Sequence, residues 1–161
     1  MIVLGIDPGL LIAGFAIIKK EQKTTYLLDA GYLKLPGTKT VIERVGLFHE
    51  FFEKKIIEWK VTDLAIETPF LGKNSQTFLK LGYLRGILYL LTHKHSLQLH
   101  EFSPREVKQS ITGFGGAGKE QVARVLYQLF PRLIKPEKYD VTDALAVTLC
   151  GLWKTKNSYL L

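Results

Sequence analysis

The sequence has little of what secreted and membrane proteins require. It contains one cysteine, Cys150, so no disulfide can form within the chain. No apolar run reaches the roughly 18 residues that cross a bilayer, and no charged segment precedes the short apolar run at the N-terminus. The composition therefore predicts an intracellular, cytoplasmic protein without a membrane partner. Within the apolar run Ala144–Trp153, Cys150 is expected to be a small buried side chain.

Histidine is also scarce, with four residues in the chain. His93, His95 and His100 straddle a predicted helix end and a strand, without the cysteines or the H-E-x-x-H spacing of zinc sites. We therefore expect these three side chains to lie at the surface rather than to bind a metal.

Acidic residues are too few to balance the basic ones. The chain has 22 Lys and Arg against 15 Asp and Glu, a net charge of +7. Eight of the basic residues and three of the acidic ones lie between Pro69 and Val125. Positive charge gathered in one third of a small domain favours a polyanionic partner, nucleic acid first. An ordinary solvated surface is the alternative explanation.

Hydrophobic periodicity predicts an α/β fold in which residues 1–161 form one domain around a five-stranded mixed sheet flanked by helices. The expected order is βββαβαβααα, with the fourth strand parallel to the first. Predicted strands cover Ile2–Ile6, Leu11–Lys19, Thr24–Leu33, Leu64–Ile66 and Leu97–Phe102, and predicted helices cover Val41–Ile57, Ser75–His93, a segment with Ser103 as its N-cap, Lys119–Leu129 and Tyr139–Trp153. Gly5 and Gly14 are small enough to permit close backbone approach.

Four carboxylates lie at the ends of predicted strands or on the predicted last helix, where they could take part in catalysis. Asp7 ends the first strand, Glu67 ends the fourth, and Asp140 and Asp143 share one face of the last helix. If the two strands are neighbours, these four side chains converge at one sheet edge. Each one alone has a structural explanation. Asp7 could belong to a common turn, Glu67 could be a solvated strand end, and Asp140 and Asp143 could complement the helix dipole. Together they repel strongly and require cations, and oxygen ligands without His or Cys select Mg²⁺ or Mn²⁺.

The predicted helix Ser75–His93 is apolar on more than one side. Such a helix must bury two faces, one against its own sheet and the other against a second subunit. Gly82 and Gly86, four residues apart, would let another backbone come close.

Five blocks of the chain, in order, resemble the RuvC family of Holliday-junction resolvases within the ribonuclease-H-like superfamily. They are GIDPG at residues 5–9, AIETPFLGKN at 65–74, LKLGYLRG at 79–86, PREVKQ at 104–109 with GKEQV at 118–122, and DVTDALAV at 140–147. The resemblance covers almost the whole chain. Departures from the family pattern lie at Ser75–Phe78 and Tyr83.

The resemblance implies a ribonuclease-H-like fold and a crossover junction endodeoxyribonuclease acting in recombination and repair. It implies a homodimer that cuts four-way junctions by two symmetric nicks, leaving 5′-phosphate and 3′-hydroxyl ends. Two Mg²⁺ per subunit, replaceable by Mn²⁺, would be held by Asp7, Glu67, Asp140 and Asp143. A branch-migration complex of the RuvA–RuvB type would be a partner.

The same resemblance assigns roles outside the acidic set. Lys108 and Lys119 would assist catalysis, and Phe70 would stack on bases near the crossover. The predicted DNA-binding residues are Phe70, Lys73, Asn74, Lys80, Arg85, Arg105, Lys108, Gly115, Gly116 and Lys119.

Two alternatives stay open at this point. One is a ribonuclease-H-like nuclease that processes structured RNA, of the YqgF type. The other is a junction-binding protein that does not cleave, which would gain nothing from four repelling carboxylates. The glycine-rich segment 113–119 also approaches a phosphate-binding P-loop, but Glu120 stands where that motif needs Ser or Thr.

Overall fold

A computed structural model describes residues 1–69, 75–131 and 139–157. The elements occur in the predicted order and close to the predicted bounds. They are β1 (Ile2–Asp7), β2 (Ile12–Glu21), β3 (Thr24–Lys34), α1 (Val41–Trp59), β4 (Asp63–Glu67), α2 (Ser75–Lys94), β5 (Gln98–Phe102), α3 (Pro104–Thr112), α4 (Lys119–Leu129) and α5 (Tyr139–Asn157).

The five strands form one mixed sheet in the order β3-β2-β1-β4-β5. The first three strands are an antiparallel meander, while β4 runs parallel to β1 and β5 runs parallel to β4. Ile6 pairs with Ile66, so Asp7 and Glu67 follow directly at the same edge of the sheet. The predicted five-stranded mixed sheet and the predicted pairing of the first and fourth strands are confirmed.

Helices cover both faces of the sheet, which explains why its central strands are apolar without interruption. Leu4 and Ile6 of β1 point into a core shared with α1 and α2. Val3 and Ala65 point to the opposite face, into a core shared with α3, α4 and α5. Adjacent residues of a strand face opposite sides, so a strand buried on both faces must be apolar at every position.

Small residues let α5 lie directly on the sheet, where it packs against β1, β2 and β4. A Cβ added at Gly14 would lie 1.9 Å from the carbonyl oxygen of Asp140, and one added at Gly5 would lie 2.0 Å from Oγ1 of Thr148. The predicted close approach at both glycines is confirmed. The backbone at the first turn of α5 is therefore held against β2.

The ends of α3 are fixed by local hydrogen bonds. Ser103 is the N-cap, Pro104 opens the helix, and Glu106 completes a capping box by accepting from the backbone nitrogen of Ser103 at 2.7 Å. Gly113 ends the helix in the left-handed region, at φ 78°. The N-cap predicted at Ser103 is confirmed.

Two expectations from composition have different outcomes. Cys150 is buried, as predicted. The prediction that His100 lies at the surface is wrong, because the side chain is buried and its Nε2 lies 2.9 Å from Oδ1 of Asp63. In the described part of the chain, no helix combines the length and apolarity needed to cross a bilayer.

Candidate active site

Two strand ends and one helix start meet above the sheet. Asp7 and Glu67 end the adjacent parallel strands β1 and β4. Asp140 and Asp143 lie in the first two turns of α5, whose start rests on Gly14 of β2. The topology thus brings four carboxylates that are widely separated in sequence to one region of the surface.

A cleft of about 190 Å³ lies between the end of β4 and the helices α3, α4 and α5. Two carboxylates and two lysines line it, namely Glu67, Asp143, Lys108 and Lys119. A cleft of paired acidic and basic groups suits a phosphodiester together with a cation. Asp7 and Asp140 are outside this lining and act on it through their charge.

Asp7 is the most strongly perturbed of the four carboxyls. Its pKa is raised to about 7, mainly by burial and then by the charges of Asp143, Asp140 and Glu67, in that order. Lys119 opposes the shift. Each of the other three acidic groups is therefore close enough to Asp7 to disfavour its ionised form.

The pKa of Glu67 is raised by the same kinds of effect. Burial raises its pKa and Asp143 adds to the effect, while Lys119 and Lys108 lower it. Both lysines predicted to assist catalysis therefore act electrostatically on the predicted ligand Glu67.

Lys119 forms an ion pair with the helix α5. Its Nζ donates to Oδ2 of Asp143 at 2.9 Å, and this hydrogen bond raises the pKa of the lysine. Lys119 opens α4, directly after the glycine-rich loop. The loop and α4 therefore deliver a positive charge to the carboxylate group.

The donor set fits a hard divalent cation. Within residues 1–69, 75–131 and 139–157, no three His, Cys, Asp or Glu side chains stand close enough to enclose a metal ion. All four donors are carboxylates, and the pKa of Asp7 is raised by burial and by repulsion from the other three, which a bound cation would offset.

The residues predicted to bind DNA differ in their burial and in their position relative to the cleft. Lys80 is half-buried on α2, and Gly115 lies against the side chain of Arg105. Arg105 lines a separate cavity of about 480 Å³ between α3 and the end of α5. Phe70, Lys73 and Asn74 lie outside the described residues.

Arg85 departs from its predicted role as a DNA contact. Its side chain is 8% exposed and forms an ion pair with Glu101. Its Nη1 also donates to the carbonyl oxygen of Glu67 at 2.6 Å. A guanidinium directed into the protein in this way is unavailable to a phosphate, so the structure places Arg85 behind the site and not on its surface.

Phe114, which the sequence did not single out, is 64% exposed in the loop between α3 and α4. Gln109 braces this loop from both sides, since its Nε2 donates to the carbonyl of Gly113 at 2.6 Å and its Oε1 accepts from the nitrogen of Gly115 at 2.9 Å. An exposed aromatic in a glycine-rich loop beside two lysines could have been noticed from the sequence. The bracing by Gln109 could not.

Comparison with known proteins gives consistent matches. The family model of crossover junction endodeoxyribonuclease RuvC matches residues 3–151. The RuvC protein of Chlorobium phaeobacteroides is 40% identical to this chain, covering 98% of this chain and 84% of the relative. The solved structure of Thermus thermophilus RuvC superposes with a TM-score of 0.88 at 25% identity, over 98% of this chain and 97% of that one. The same protein in complex with Holliday junction substrate superposes with a TM-score of 0.91 at 24% identity, over 98% and 96%.

Proposed function

This chain belongs to the RuvC family of crossover junction endodeoxyribonucleases, and from that premise we propose that it resolves four-way DNA junctions by metal-dependent hydrolysis. The supporting observation is the convergence of Asp7, Glu67, Asp140 and Asp143 beside a cleft lined by Lys108 and Lys119. Residues 1–161 would act as a single nuclease domain in recombination and repair, alongside a branch-migration complex of the RuvA–RuvB type.

The four carboxylates would hold two Mg²⁺ per subunit, with Mn²⁺ as a substitute. Cations bound there would activate a water molecule and stabilise the leaving oxygen. Water adds in line to the scissile phosphorus and the 3′-oxygen leaves with a proton, giving 5′-phosphate and 3′-hydroxyl ends. Lys108 and Lys119 line the same cleft, where they neutralise the charge of the scissile phosphate.

DNA contacts would extend outward from the cleft. Arg105, which packs against Gly115, would meet the phosphate backbone together with Gly115, Gly116 and the half-buried Lys80 on α2. The segment 70–74 joins the end of β4 to α2, so Phe70, Lys73 and Asn74 follow Glu67 closely in the chain. Stacking of unpaired bases on Phe70 would contribute about 1–3 kcal/mol per base without reading sequence.

A second copy of the chain is the proposed partner of α2. Four large apolar or aromatic side chains on this helix are exposed, namely Leu79, Tyr83, Tyr89 and Leu90. Gly82 and Gly86 are also exposed, and beyond the nearby helix backbone no atom lies within 4 Å of a Cβ built on either. An open apolar face with glycines lets a matching helix approach closely. A two-fold dimer would place identical sites on opposite strands of a junction, whose own symmetry is approximately two-fold.

The dimer proposal predicts that Leu90→Glu converts the protein to monomers in sedimentation velocity, because two carboxylates would face each other in an apolar contact. Paired cutting of a junction should fall at least tenfold, while the melting temperature stays within a few degrees. Ile57→Glu is the matched control, since Ile57 is 62% exposed on α1. A wild-type protein that sediments as a monomer on junction DNA would contradict the proposal.

Incubation with labelled substrates tests the function itself. In Mg²⁺ we expect a four-way junction to be cut by paired nicks, linear duplex and structured RNA to remain intact, and the nicked products to be sealed by ligase. Without a divalent cation, binding should persist and weaken steeply with salt, because phosphate contacts release counterions. Cleavage of RNA in preference to the junction would favour the RNA-processing alternative. Binding without cleavage in Mg²⁺ or Mn²⁺ would favour the non-cleaving one.

A further inference from the structure

A buried arginine on α2 connects three elements at the edge of the site. Arg85 Nη1 donates to the backbone carbonyl of Glu67 at 2.6 Å, at the last residue of β4. Arg85 Nη2 donates to the hydroxyl of Tyr89 at 3.0 Å and to the carboxylate of Glu101 on β5. From this geometry we infer that Arg85 is a positioning residue that fixes the end of β4, so that metal binding by Glu67 depends on α2.

The location of the contact explains why a side chain is needed there. The ladder between β4 and β5 ends with the pair Glu67 and Phe102, and Thr68 adds one further bond from its nitrogen to the carbonyl of Phe102 at 2.7 Å. The described chain leaves the sheet immediately afterwards. Arg85 supplies a donor to the carbonyl of Glu67, the last residue of this ladder.

The chemistry of the guanidinium suits this role. Burying a charge costs several kcal/mol unless the charge is paired and hydrogen-bonded. Here one planar group reaches a carbonyl, a carboxylate and a hydroxyl at once, which a lysine ammonium on a flexible stem cannot reproduce in the same geometry. The arrangement holds Glu67 from its backbone, leaving the Glu67 carboxylate directed to the cleft.

Tyr89 extends the network to the outer surface of α2. It lies one turn after Arg85, the residue is 43% exposed, and its hydroxyl donates to Glu101 at 2.9 Å. The neighbouring Leu90 belongs to the face proposed to contact a second copy. Arg85 and Tyr89 therefore connect this face of α2 to the backbone of Glu67. This inference rests on the proposed function, because it takes Glu67 as a metal ligand.

Arg85→Lys tests the inference through metal affinity. We expect the Mg²⁺ concentration for half-maximal cleavage to rise about tenfold, the range found when groups supporting metal ligands are removed. The Mg²⁺-induced increase in melting temperature, measured without DNA, should shift to higher concentration by the same factor. Junction affinity in EDTA should stay within twofold, since Arg85 is buried and contacts no phosphate.

Two further variants separate positioning from general stability. Glu101→Gln leaves Arg85 in place and weakens its anchor at a partly exposed position, so we expect a rise of about threefold in the Mg²⁺ requirement. Lys55→Met is the matched control, because it breaks a partly buried ion pair of 2.6 Å with Asp29 between α1 and β3, which carry none of the four carboxylates. Lys55→Met should lower the melting temperature without changing the Mg²⁺ requirement.

The outcomes that overturn the inference are distinct from those that overturn the proposed function. A normal Mg²⁺ requirement in Arg85→Lys, together with a strongly raised one in Glu67→Gln, would overturn the inference alone. A Mg²⁺ requirement raised equally in Lys55→Met would also overturn it, because the effect would then follow from stability. A normal Mg²⁺ response in Glu67→Gln would remove that residue from the metal site and overturn both.

Discussion

Replacing Asp7 with asparagine is expected to reduce the rate of junction cleavage about 1,000-fold or more, while junction affinity in EDTA stays within a few fold. A loss of that size corresponds to about 4 kcal/mol of transition-state stabilisation. The substitution keeps the shape of the side chain but removes one of the charges that would hold the cation. Single-turnover cleavage of a labelled junction at saturating protein measures the effect.

The same variant should be more stable than the wild type when no metal is present. The pKa of Asp7 is about 7 in the folded protein against an ordinary value of 3.8. At pH values between these two pKa values, Asp7 binds more protons in the folded state than in the unfolded state. Its contribution to the free energy of unfolding therefore falls as pH rises from about 4 to 7. Asparagine abolishes this slope and should raise the free energy of unfolding at pH 8 by up to about 4 kcal/mol.

Chemical denaturation of both proteins in EDTA between pH 4 and 8 provides the measurement. Saturating Mg²⁺ should reduce the difference in free energy of unfolding between the two proteins, because a bound cation would stabilise the ionised form of Asp7 in the wild type. An active Asp7→Asn protein would exclude Asp7 from the reaction. Equal stability of the two proteins at pH 8 would show that burial and the neighbouring carboxylates do not disfavour ionisation of Asp7 in the folded protein.

Adding one methyl group at Gly14 is expected to have the second large effect. Its Cβ would lie 1.9 Å from the carbonyl oxygen of Asp140, a backbone atom that can move only if α5 moves. Overpacking of this kind costs about 1–3 kcal/mol, and more where backbone must shift. We therefore expect Gly14→Ala to lower the free energy of unfolding by about 3 kcal/mol and the cleavage rate at least tenfold, since Asp140 would be displaced from Asp7.

Gly46→Ala is the matched control for this substitution. Gly46 lies within α1, where an added Cβ meets no atom within 4 Å. Alanine there should raise the free energy of unfolding by up to about 1 kcal/mol and leave cleavage unchanged. A Gly14→Ala protein with wild-type stability and rate would mean that α5 does not rest on β2 as closely as described.

Local patterns in the sequence were sufficient to predict the secondary structure and the residues of the candidate site. The ten elements were predicted in the correct order because each shows its own periodicity or cap, such as the apolar run before Asp7 or the box of Ser103 and Glu106. The α/β layout follows from that order, and the ribonuclease-H-like fold expected from the family resemblance is confirmed. The four carboxylates were named because two of them end predicted strands and the other two share one face of the predicted last helix. Their assignment as metal ligands stays a prediction.

The sequence by itself therefore determined which apolar residues face the core and where the chain turns. The spacing of apolar residues identifies the buried face of each helix or strand, and the end of that spacing marks where the element ends. Tertiary structure alone decided the partners of polar groups: Arg85 binds Glu67 and Glu101, His100 is buried beside Asp63, and Lys119 pairs with Asp143. Those partners lie 16 to 37 residues away along the chain. Periodicity extends over one element, whereas the pairing of a charge depends on which elements the folded sheet places side by side.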